Sequence, residues 1–465
     1  MTIDEGTCSF RLIAFFCLST GILFNLIIPP FQYPDEPQHF GAILTYSLGN
    51  EKKDFIEKEI IKIMDQNSWW RLVGLGKPTP LPSNFLQTDF LTFDDFKVTF
   101  GNIILYHFLL GKTQKTLAKN NFILSYYFCR AASLLFMLIS IFLVYLTFRK
   151  DPFAEGLYLG TLFVLFLPQL AILSSGVSSD SLSLVLSCLF FFASFSLILG
   201  KLKVGYFLLL FLSAGAGILT DRSILFLLPM ALFVPFFLLK RNKHKANILI
   251  LFFFFLAFGL LILLLWKTLP LQFNNSLNFI KWRLRPNIQK LPSLFSFSDA
   301  NQQFLRLLMD SFLLKFGWMA FDAGRIFHSI WRGLVLLSSF GILSYFARYR
   351  YSRKRKTHPL FYNSNILKLA IFSLIPLSIQ ILNLWAFSEQ KGSYSEGRYL
   401  FPVIVPIAFL FLLGLKAFFD LFHKKAGTVA ISVVLILEFL FLNYSIWDSI
   451  IPIFHMTVKA PHLGI

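Results

Sequence analysis

Two adjacent carboxylates, Asp35 and Glu36, stand between prolines in the stretch YPDEPQHFG (residues 33–41), directly after the first apolar run of the chain. A carboxylate at such a place can serve as a general base. A purely local interpretation is that Asp35 is the N-cap of a helix with Pro37 in its first turn. Capping does not explain why Glu36 and His39 accompany Asp35 at a bilayer surface, where burying charge is costly. Both interpretations stay open on these residues alone.

The elements that must position this stretch are apolar. Of 465 residues, 56% are hydrophobic and 14% are charged, and the mean hydropathy is +0.66. A soluble domain carries about 25% charged residues. The apolar residues also form runs long enough to cross a bilayer, which takes about 20 residues. The composition excludes an ordinary soluble enzyme and predicts an all-α polytopic membrane protein.

The apolar runs predict about eleven transmembrane spans. The first run, Leu12 to Ile28, is interpreted as a retained span and not a signal peptide, because no small-x-small cleavage pattern follows it. A charged segment at 304–321 is expected to lie along the interface or inside the bundle, since its charges make it a poor lipid-facing helix. The remaining runs lie near 122–148, 154–173, 182–199, 205–220, 223–239, 246–266, 327–347, 366–387, 399–415 and 427–446.

The net charge of +19 comes from basic clusters between the apolar runs. A nucleic-acid-binding face would gather its basic residues on one surface, so nucleic-acid binding is excluded. The clusters instead fit the rule that cytoplasmic loops are positive, and they predict an N-terminus inside and a C-terminus outside. They are Arg149-Lys150, Lys201 with Lys203, Lys240 to Lys245, Arg348 to Lys356, and Lys416 with Lys424-Lys425.

Two long external loops follow from this orientation, at 31–120 and 267–326, within a single transmembrane domain that spans residues 1–465. In the first loop, the segment Phe55 to Asp65 has an apolar helical face, which predicts a helix lying in the membrane interface. No internal repeat joins two halves of the chain, which counts against secondary transporters. The apolar face of the segment Phe55 to Asp65 consists of Ile56, Ile60, Ile63 and Met64.

The sequence predicts no metal site and no cofactor. The four cysteines, Cys8, Cys17, Cys129 and Cys188, have no metal-ligand spacing, and the eight histidines are scattered. There is no D-x-D stretch, so a carboxylate pair that holds a divalent cation is not expected.

The stretch PDEPQHFGAIL (34–44) resembles the Asp-Glu motif in the first external loop of GT-C superfamily glycosyltransferases. The nearest well-known members are the protein O-mannosyltransferases and the aminoarabinose transferases that act on lipid A. The stretch is still closer to a bacterial membrane family of unknown function whose members carry a DEP-x-HF motif. Three further segments match that family in order: LPQLAILSSGVSSDSLSL (167–184), SFLLKFGWMAF (311–321) and EGRYLFPVIVP (396–406).

The resemblance implies a GT-C-like helical bundle that transfers a sugar from a polyprenyl-phosphate carrier with inversion at the anomeric carbon. A single displacement needs one base and positive groups near the departing phosphate, and an ionised phosphate leaves without a general acid. By the family's pattern Asp35 is the base, and Glu36 orients the acceptor or Asp35. The protein O-mannosyltransferases have another residue where Pro37 stands here, so the acceptor type is not carried over.

Arginines are the expected ligands of the carrier phosphate, because a guanidinium binds two oxygens at once. The resemblance favours Arg398, with Tyr399 beside it in EGRYLFP, and the alternative for Arg398 is snorkelling to the interface. Arg222 is next, although related enzymes often have a lysine in this region and a local Asp221–Arg222 pair explains it equally well. Arg130, inside the second span, is third, with structural pairing between helices as its alternative.

Two further side chains complete the set of candidates. Asp180 lies in SSGVSSD and is expected to bind sugar hydroxyls or support Asp35, with an N-cap role as the alternative. His39 is expected to hydrogen-bond the carrier phosphate, although interfacial packing explains it more simply. Glu438, a carboxylate within the last span, is interpreted as structural and is left out of the site.

The function predicted from these residues is that of a metal-independent glycosyltransferase in the cytoplasmic membrane of a bacterium, with its site facing the periplasm. Its partners would be the lipid bilayer, a polyprenyl-phosphate-linked sugar, and a glycan, lipid or protein acceptor. The alternatives are an O-antigen polymerase or ligase, and a lipid or polysaccharide transporter. The polymerases and ligases place their long loop and key arginines late in the chain. Transporters place polar groups near mid-bilayer and have broken helices.

Overall fold

A computed structural model describes residues 5–67, 69, 105–149, 159–238, 299–316, 321–322, 324–355, 363–391, 396–423 and 425–451. This part of the chain is helical apart from a two-residue antiparallel pairing of Lys315–Phe316 (β1) with Phe321–Asp322 (β2). The helical, membrane-embedded class predicted from composition is confirmed.

Sixteen α-helices lie in the described ranges. They are α1 (Glu5–Ile27), α2 (Glu36–Leu48), α3 (Lys53–Gln66), α4 (Leu105–Thr113), α5 (Lys115–Asn120), α6 (Phe122–Phe148), α7 (Gly160–Phe166), α8 (Pro168–Ser174), α9 (Ser179–Ile198), α10 (Val204–Ile218), α11 (Leu227–Leu238), α12 (Asp299–Leu314), α13 (Arg325–Arg355), α14 (Ser364–Lys391), α15 (Ile404–Phe419) and α16 (Ala426–Tyr444). Short 3₁₀ turns cover Asn50–Lys52, Arg222–Ile224 and Gly397–Val403, and a π-helical turn covers Ser445–Ile450.

Seven segments among the described residues are long and apolar enough to cross a membrane, so the chain is a multi-pass membrane protein. Each coincides with a run predicted from the sequence. Val204–Gly217 and Leu227–Leu238 are apolar but shorter, and the predicted span at 246–266 lies outside the described residues. The count of about eleven stays a prediction. The seven segments are Phe10–Ile27, Phe122–Phe148, Ser179–Ile198, Arg325–Tyr349, Ser364–Ser388, Gly397–Phe419 and Ala426–Trp447.

The described part of the predicted span at 154–173, from residue 159 on, contains two short helices, α7 and α8, which meet at Leu167. Leu167 has an extended backbone with φ −66° and ψ 113° because it precedes Pro168, and a residue before proline is disfavoured in the helical region. Pro168 then occupies the first turn of α8, where its missing N–H costs nothing. The break therefore comes from the local sequence.

The segment Gly397–Phe419 lies at the centre of the bundle, with almost every side chain of α15 buried. Two glycines let α13 and α15 approach backbone to backbone. A Cβ at Gly341 would collide with the carbonyl oxygen of Gly414, and a Cβ at Gly414 would collide with the carbonyl oxygen of Ser338. Such close approach of small residues is a common way for transmembrane helices to associate.

The helix predicted at 55–65 forms as α3, Lys53–Gln66. Its apolar face is covered by protein: Ile60 and Met64 are fully buried, and Ile56 and Ile63 are nearly so. The side-chain N–H of Trp69, just beyond α3, donates to the carbonyl of Phe31 at 2.7 Å. The face that was predicted to lie in the membrane interface is therefore covered by protein.

Residues 304–314 of the charged segment at 304–321 belong to α12, and residues 317–320 lie outside the described residues. Phe304, Leu308 and Phe312 are buried, whereas the side chain of Arg306 is exposed. Asp310 is also buried, with Arg332 Nε 3.4 Å from its carboxylate. This helix packs against the 3₁₀ turn that carries Arg398, because the hydroxyl of Ser311 accepts from the N–H of Gly397 at 2.7 Å.

Candidate active site

Asp35 occupies the N-cap position of α2 without capping it. Its backbone is left-handed, with φ 63° and ψ 7°, a conformation that aspartate tolerates better than most residues. The carbonyl oxygen accepts from the N–H of His39 at 3.0 Å, but the side chain makes no cap hydrogen bond. The left-handed turn instead directs the carboxylate towards Arg398, so the purely local interpretation of Asp35 is insufficient.

Arg398 gathers the carboxylates of the site. It lies in the 3₁₀ turn Gly397–Val403, where Nη2 donates to Asp35 Oδ2 at 2.8 Å. Its Nε contacts a carboxylate oxygen of Glu396, and its Nη1 lies 3.8 Å from Asp180 Oδ2. The guanidinium is only 4% exposed. An arginine in this setting is not snorkelling to an interface.

Two tyrosines flank this guanidinium. The centre of the Tyr399 ring lies 5.0 Å from Arg398 Cζ and that of the Tyr33 ring lies 5.6 Å away, both within cation–π range. Nη2 also donates to the hydroxyl of Tyr399 at 3.2 Å. Tyr399 is thus a direct neighbour of Arg398, as the motif implies, whereas sequence reasoning did not single out Tyr33.

Asp180 faces the same cluster. The hydroxyl of Tyr33 donates to Asp180 Oδ2 at 3.0 Å. The N-cap of α9 is Ser178, whose hydroxyl accepts from the N–H of Asp180 at 3.1 Å. The side chain of Asp180 is therefore free of the capping role that was its simpler explanation. It lies 14% exposed beside Arg398.

Glu36 is enclosed by donors and is fully buried. Its Oε1 accepts from the hydroxyl of Tyr126 at 2.6 Å, from Arg130 Nε at 3.2 Å and from the N–H of Val177 at 2.9 Å. The N–H of Tyr33 donates to Oε2 at 3.3 Å. The two neighbouring carboxylates therefore lie in different surroundings: that of Asp35 is partly exposed to solvent, and that of Glu36 is buried.

Arg130 belongs to this inner network. Besides Glu36, its Nη1 donates to the carbonyl of Ile28 at 2.7 Å and its Nη2 to the carbonyl of Pro29 at 2.9 Å. These bonds tie the end of α1 to the beginning of α6. Arg130 is 1% exposed and its nitrogens are taken up by protein oxygens, which matches the structural pairing proposed as its alternative role.

His39 forms a pair with a residue that the sequence reasoning missed. Its Nδ1 lies 2.8 Å from Nε2 of His107 in α4. His107 is fully buried, and its other nitrogen, Nδ1, has no hydrogen-bond partner in the structure. No motif surrounds His107, which lies within the long loop predicted at 31–120, so no pattern in the sequence could have indicated it.

Asp221 lies at the edge of the cluster. Its Oδ2 accepts from the hydroxyl of Ser179 at 3.0 Å, and its Oδ1 accepts from the N–H of Ser223 at 2.6 Å. Arg222 begins the 3₁₀ turn that follows, but its side chain is outside the described part of the structure. The proposed Asp221–Arg222 pair therefore stays a prediction.

The electrostatics of the site reflect burial and crowded carboxylates. Burial raises the pKa of Glu396 and, with Asp180 nearby, that of Asp221. Burial also raises the pKa of Tyr33 and lowers that of His39. Three described carboxylates, those of Asp35, Asp180 and Glu396, lie within 4 Å of the Arg398 guanidinium. Among the described side chains, the cluster contains more acidic groups than basic ones.

Glu438 lies apart from this cluster. It is buried in α16, and neither carboxylate oxygen has a hydrogen-bond partner in the structure. No group of three or more His, Cys, Asp or Glu side chains in the described ranges is arranged to hold a metal ion.

Of the eight predicted site residues, the structure brings Asp35, Asp180, Arg398 and Tyr399 together, with His39 bonded to Asp35 through the backbone. Glu36 and Arg130 form the network beneath. The chain matches no protein-family model, no curated protein and no solved structure.

Proposed function

We propose that this protein is an inverting glycosyltransferase that moves a sugar from a polyprenyl-phosphate carrier to an acceptor at the outer face of a bacterial cytoplasmic membrane. The observation that carries the proposal is the ion pair of Asp35 with Arg398, reached from opposite ends of the chain and joined by Asp180. The resemblance of the four motifs to GT-C enzymes supports the reaction class.

Asp35 is the proposed base. Its side chain is 26% exposed, whereas that of its neighbour Glu36 is fully buried. One carboxylate oxygen is fixed by Arg398, which leaves the other to take the proton of an acceptor hydroxyl. A fixed carboxylate loses little conformational freedom when the acceptor binds, which is how positioning lowers a barrier.

Glu36 is the proposed positioning residue. It accepts bonds from α6, from the turn before α9 and from the turn that carries Asp35. Such a closed network keeps its partners in one arrangement. In this proposal Glu36 holds the left-handed turn in place and does not contact the acceptor.

Asp180 and Glu396 are the proposed ligands of sugar hydroxyls, since carboxylates accept hydrogen bonds from them. The described side chains of the cluster include more carboxylates than cations, and this negative charge disfavours binding of a phosphate. The carrier phosphate therefore needs further positive groups. Arg222 is the proposed source, with the basic residues at 281–285 of the second predicted loop.

The test is transfer of radiolabelled sugar from a panel of polyprenyl-phosphate donors, in membranes that contain the full chain. The panel varies the sugar on a fixed carrier. Label should enter a lipid, glycan or protein fraction for at least one donor, and free polyprenyl phosphate should be released in equal amount. No transfer above membranes that contain the Asp35→Asn variant, for every donor, would overturn the proposal.

A transporter is the second candidate, because two observations favour it. The segment at 160–174 is a broken helix, and Glu438 is a carboxylate buried within a span. Discontinuous helices and intramembrane acids are typical of transport pathways. Uptake or flipping of a labelled lipid in vesicles that contain the purified protein, lost in Glu438→Gln and kept in Asp35→Asn, would favour transport over transfer.

A further inference from the structure

The pair of His39 and His107 fixes which nitrogen of His39 carries a proton. At 2.8 Å, one of the two facing nitrogens must donate and the other must accept. If His39 Nδ1 donated, His107 Nε2 would be bare, and a neutral His107 would then carry its proton on Nδ1. That nitrogen is buried and without a partner in the structure.

An orphaned N–H is the less acceptable of the two outcomes, because buried N–H groups without an acceptor are rarer than buried acceptors without a donor. The bare form of His107 Nδ1 is therefore favoured. His107 then carries its proton on Nε2 and donates it to Nδ1 of His39. The neutral His39 ring has one proton, which must lie on Nε2.

We infer that His107 is a positioning residue that holds His39 as the Nε2–H tautomer, so that the site has a neutral donor for a substrate oxygen beside Asp35. The ligand chemistry that fits is an uncharged or anionic oxygen, such as a sugar hydroxyl or a phosphate oxygen. The inference deepens the proposed function, and its activity readout rests on that function.

The charges around His39 bear on this assignment. Asp35, Asp221 and Glu36 favour an imidazolium, whereas Arg398 and burial oppose it, and burial is the largest effect. His107 is buried as well and faces His39. Even a charged His39 would carry a proton on Nε2, so in either state Nε2 is a donor and not a base. This leaves proton abstraction to Asp35.

The first measurement is ¹⁵N NMR of the full chain labelled at histidine, in which an N–H nitrogen and a bare nitrogen have well-separated chemical shifts. A His39→Asn spectrum identifies the His39 signals. In the unmodified protein at pH 7, Nε2 of His39 should appear as N–H and Nδ1 as bare. A bare Nε2 would overturn the inference, and this result needs no variant of His107.

The second measurement removes the donor. In His107→Leu, both His39 nitrogens should move towards the averaged shifts of two exchanging tautomers. The matched control is Tyr106→Phe, at the residue next to His107. It removes a buried polar contact with Ser133 and leaves the histidine pair intact. Unchanged His39 shifts in His107→Leu would overturn the role of His107.

The activity readout uses the transfer assay. His107→Leu and His39→Leu should each lower kcat/KM by about tenfold, the size expected for one hydrogen bond. The double variant should be no worse than His39→Leu alone, since both act through one bond, and Tyr106→Phe should stay near the unmodified rate. Additive losses would overturn the coupling. If the unmodified protein transfers no sugar, the proposed function fails, and the NMR result still decides the tautomer.

Discussion

The carboxylate of Asp35 lies 2.8 Å from Nη2 of Arg398, although 363 residues separate them in the chain. Asp35 follows the first span, and Arg398 stands in the turn before α15. Asp180, at the start of α9, faces the same guanidinium. Three distant parts of the sequence thus supply one cluster at one end of the bundle.

Asp35→Asn should abolish transfer and leave the fold intact. Loss of a general base costs about a hundred- to ten-thousand-fold in rate. Arg398 keeps its contacts with Asp180 and Glu396 in this variant, so the thermal unfolding midpoint should stay close to that of the unmodified protein. Asp54→Asn, on the exposed side of α3, is the matched control and should keep full activity. Full activity in Asp35→Asn would remove Asp35 from the chemistry.

Glu36→Gln should unfold far more easily. It leaves the buried guanidinium of Arg130 without its counter-charge, and breaking a buried ion pair costs about 3–5 kcal/mol. Glu59→Gln is the control, because the Lys62–Glu59 pair is open to solvent, with side chains 62% and 30% exposed, and surface pairs contribute about 0–1 kcal/mol. Thermal unfolding in detergent, followed by tryptophan fluorescence, separates the two. Equal midpoints would contradict the closed network.

Gly397→Ala should damage both stability and the site. A Cβ at Gly397 would collide with the backbone N of Phe312, and such overpacking costs about 1–3 kcal/mol. Because Arg398 is the next residue, transfer should fall as well. Gly333→Ala is the control: nothing lies within 4 Å of its added Cβ, and alanine favours a helix over glycine by up to about 1 kcal/mol. A Gly397→Ala protein as stable as Gly333→Ala would show that the turn can shift.

Stability at mild acid should depend on His107. Burial lowers its pKa well below the ordinary value of 6.5. The unfolded chain therefore binds the proton first, and stability is lost as pH falls below about 6.5. The raised pKa values of Glu396 and Asp221 act in the opposite direction as the pH falls. The test therefore compares the unmodified chain with His107→Leu, since both contain Glu396 and Asp221. The unfolding midpoint of the unmodified chain should fall more between pH 7.5 and 5.5 than that of His107→Leu.

The predicted orientation is open to reporter fusions. Fusions at Lys245 and Arg355 should report a cytoplasmic location, and one at Asn275 an external location, because the basic clusters follow even-numbered spans. An external signal at Arg355 would invert the topology and place the Asp35 cluster on the cytoplasmic side.

The seven long apolar helices were predictable from hydrophobicity alone. Every one of the seven long helices coincides with an apolar run, and the proline that breaks the segment at 160–174 is visible in the sequence. The apolar face of α3 was also visible. What covers this face was not visible, because an apolar helix face can pack against lipid or against protein. Only the folded structure shows which of the two it contacts.

The contact between Asp35 and Arg398 was predictable, because the two motifs that contain them indicated a shared cluster. The difference in burial between Asp35 and Glu36 was not predictable, because the enclosure of Glu36 depends on Tyr126 and Val177, which are far away in sequence. His107 was missed for the same reason: a lone histidine in a helix gives no signal until its neighbour is known.

The distances in sequence set an order of assembly during synthesis. Glu36 and Arg130 are 94 residues apart, so their network can close once the second of the seven long helices has emerged. Arg398 follows Asp35 by 363 residues, which at about 5–20 residues per second is roughly 20–70 s of translation. Throughout that interval the nascent chain has Asp35 without its cation, and the site becomes complete only as α15 inserts between helices that are already present.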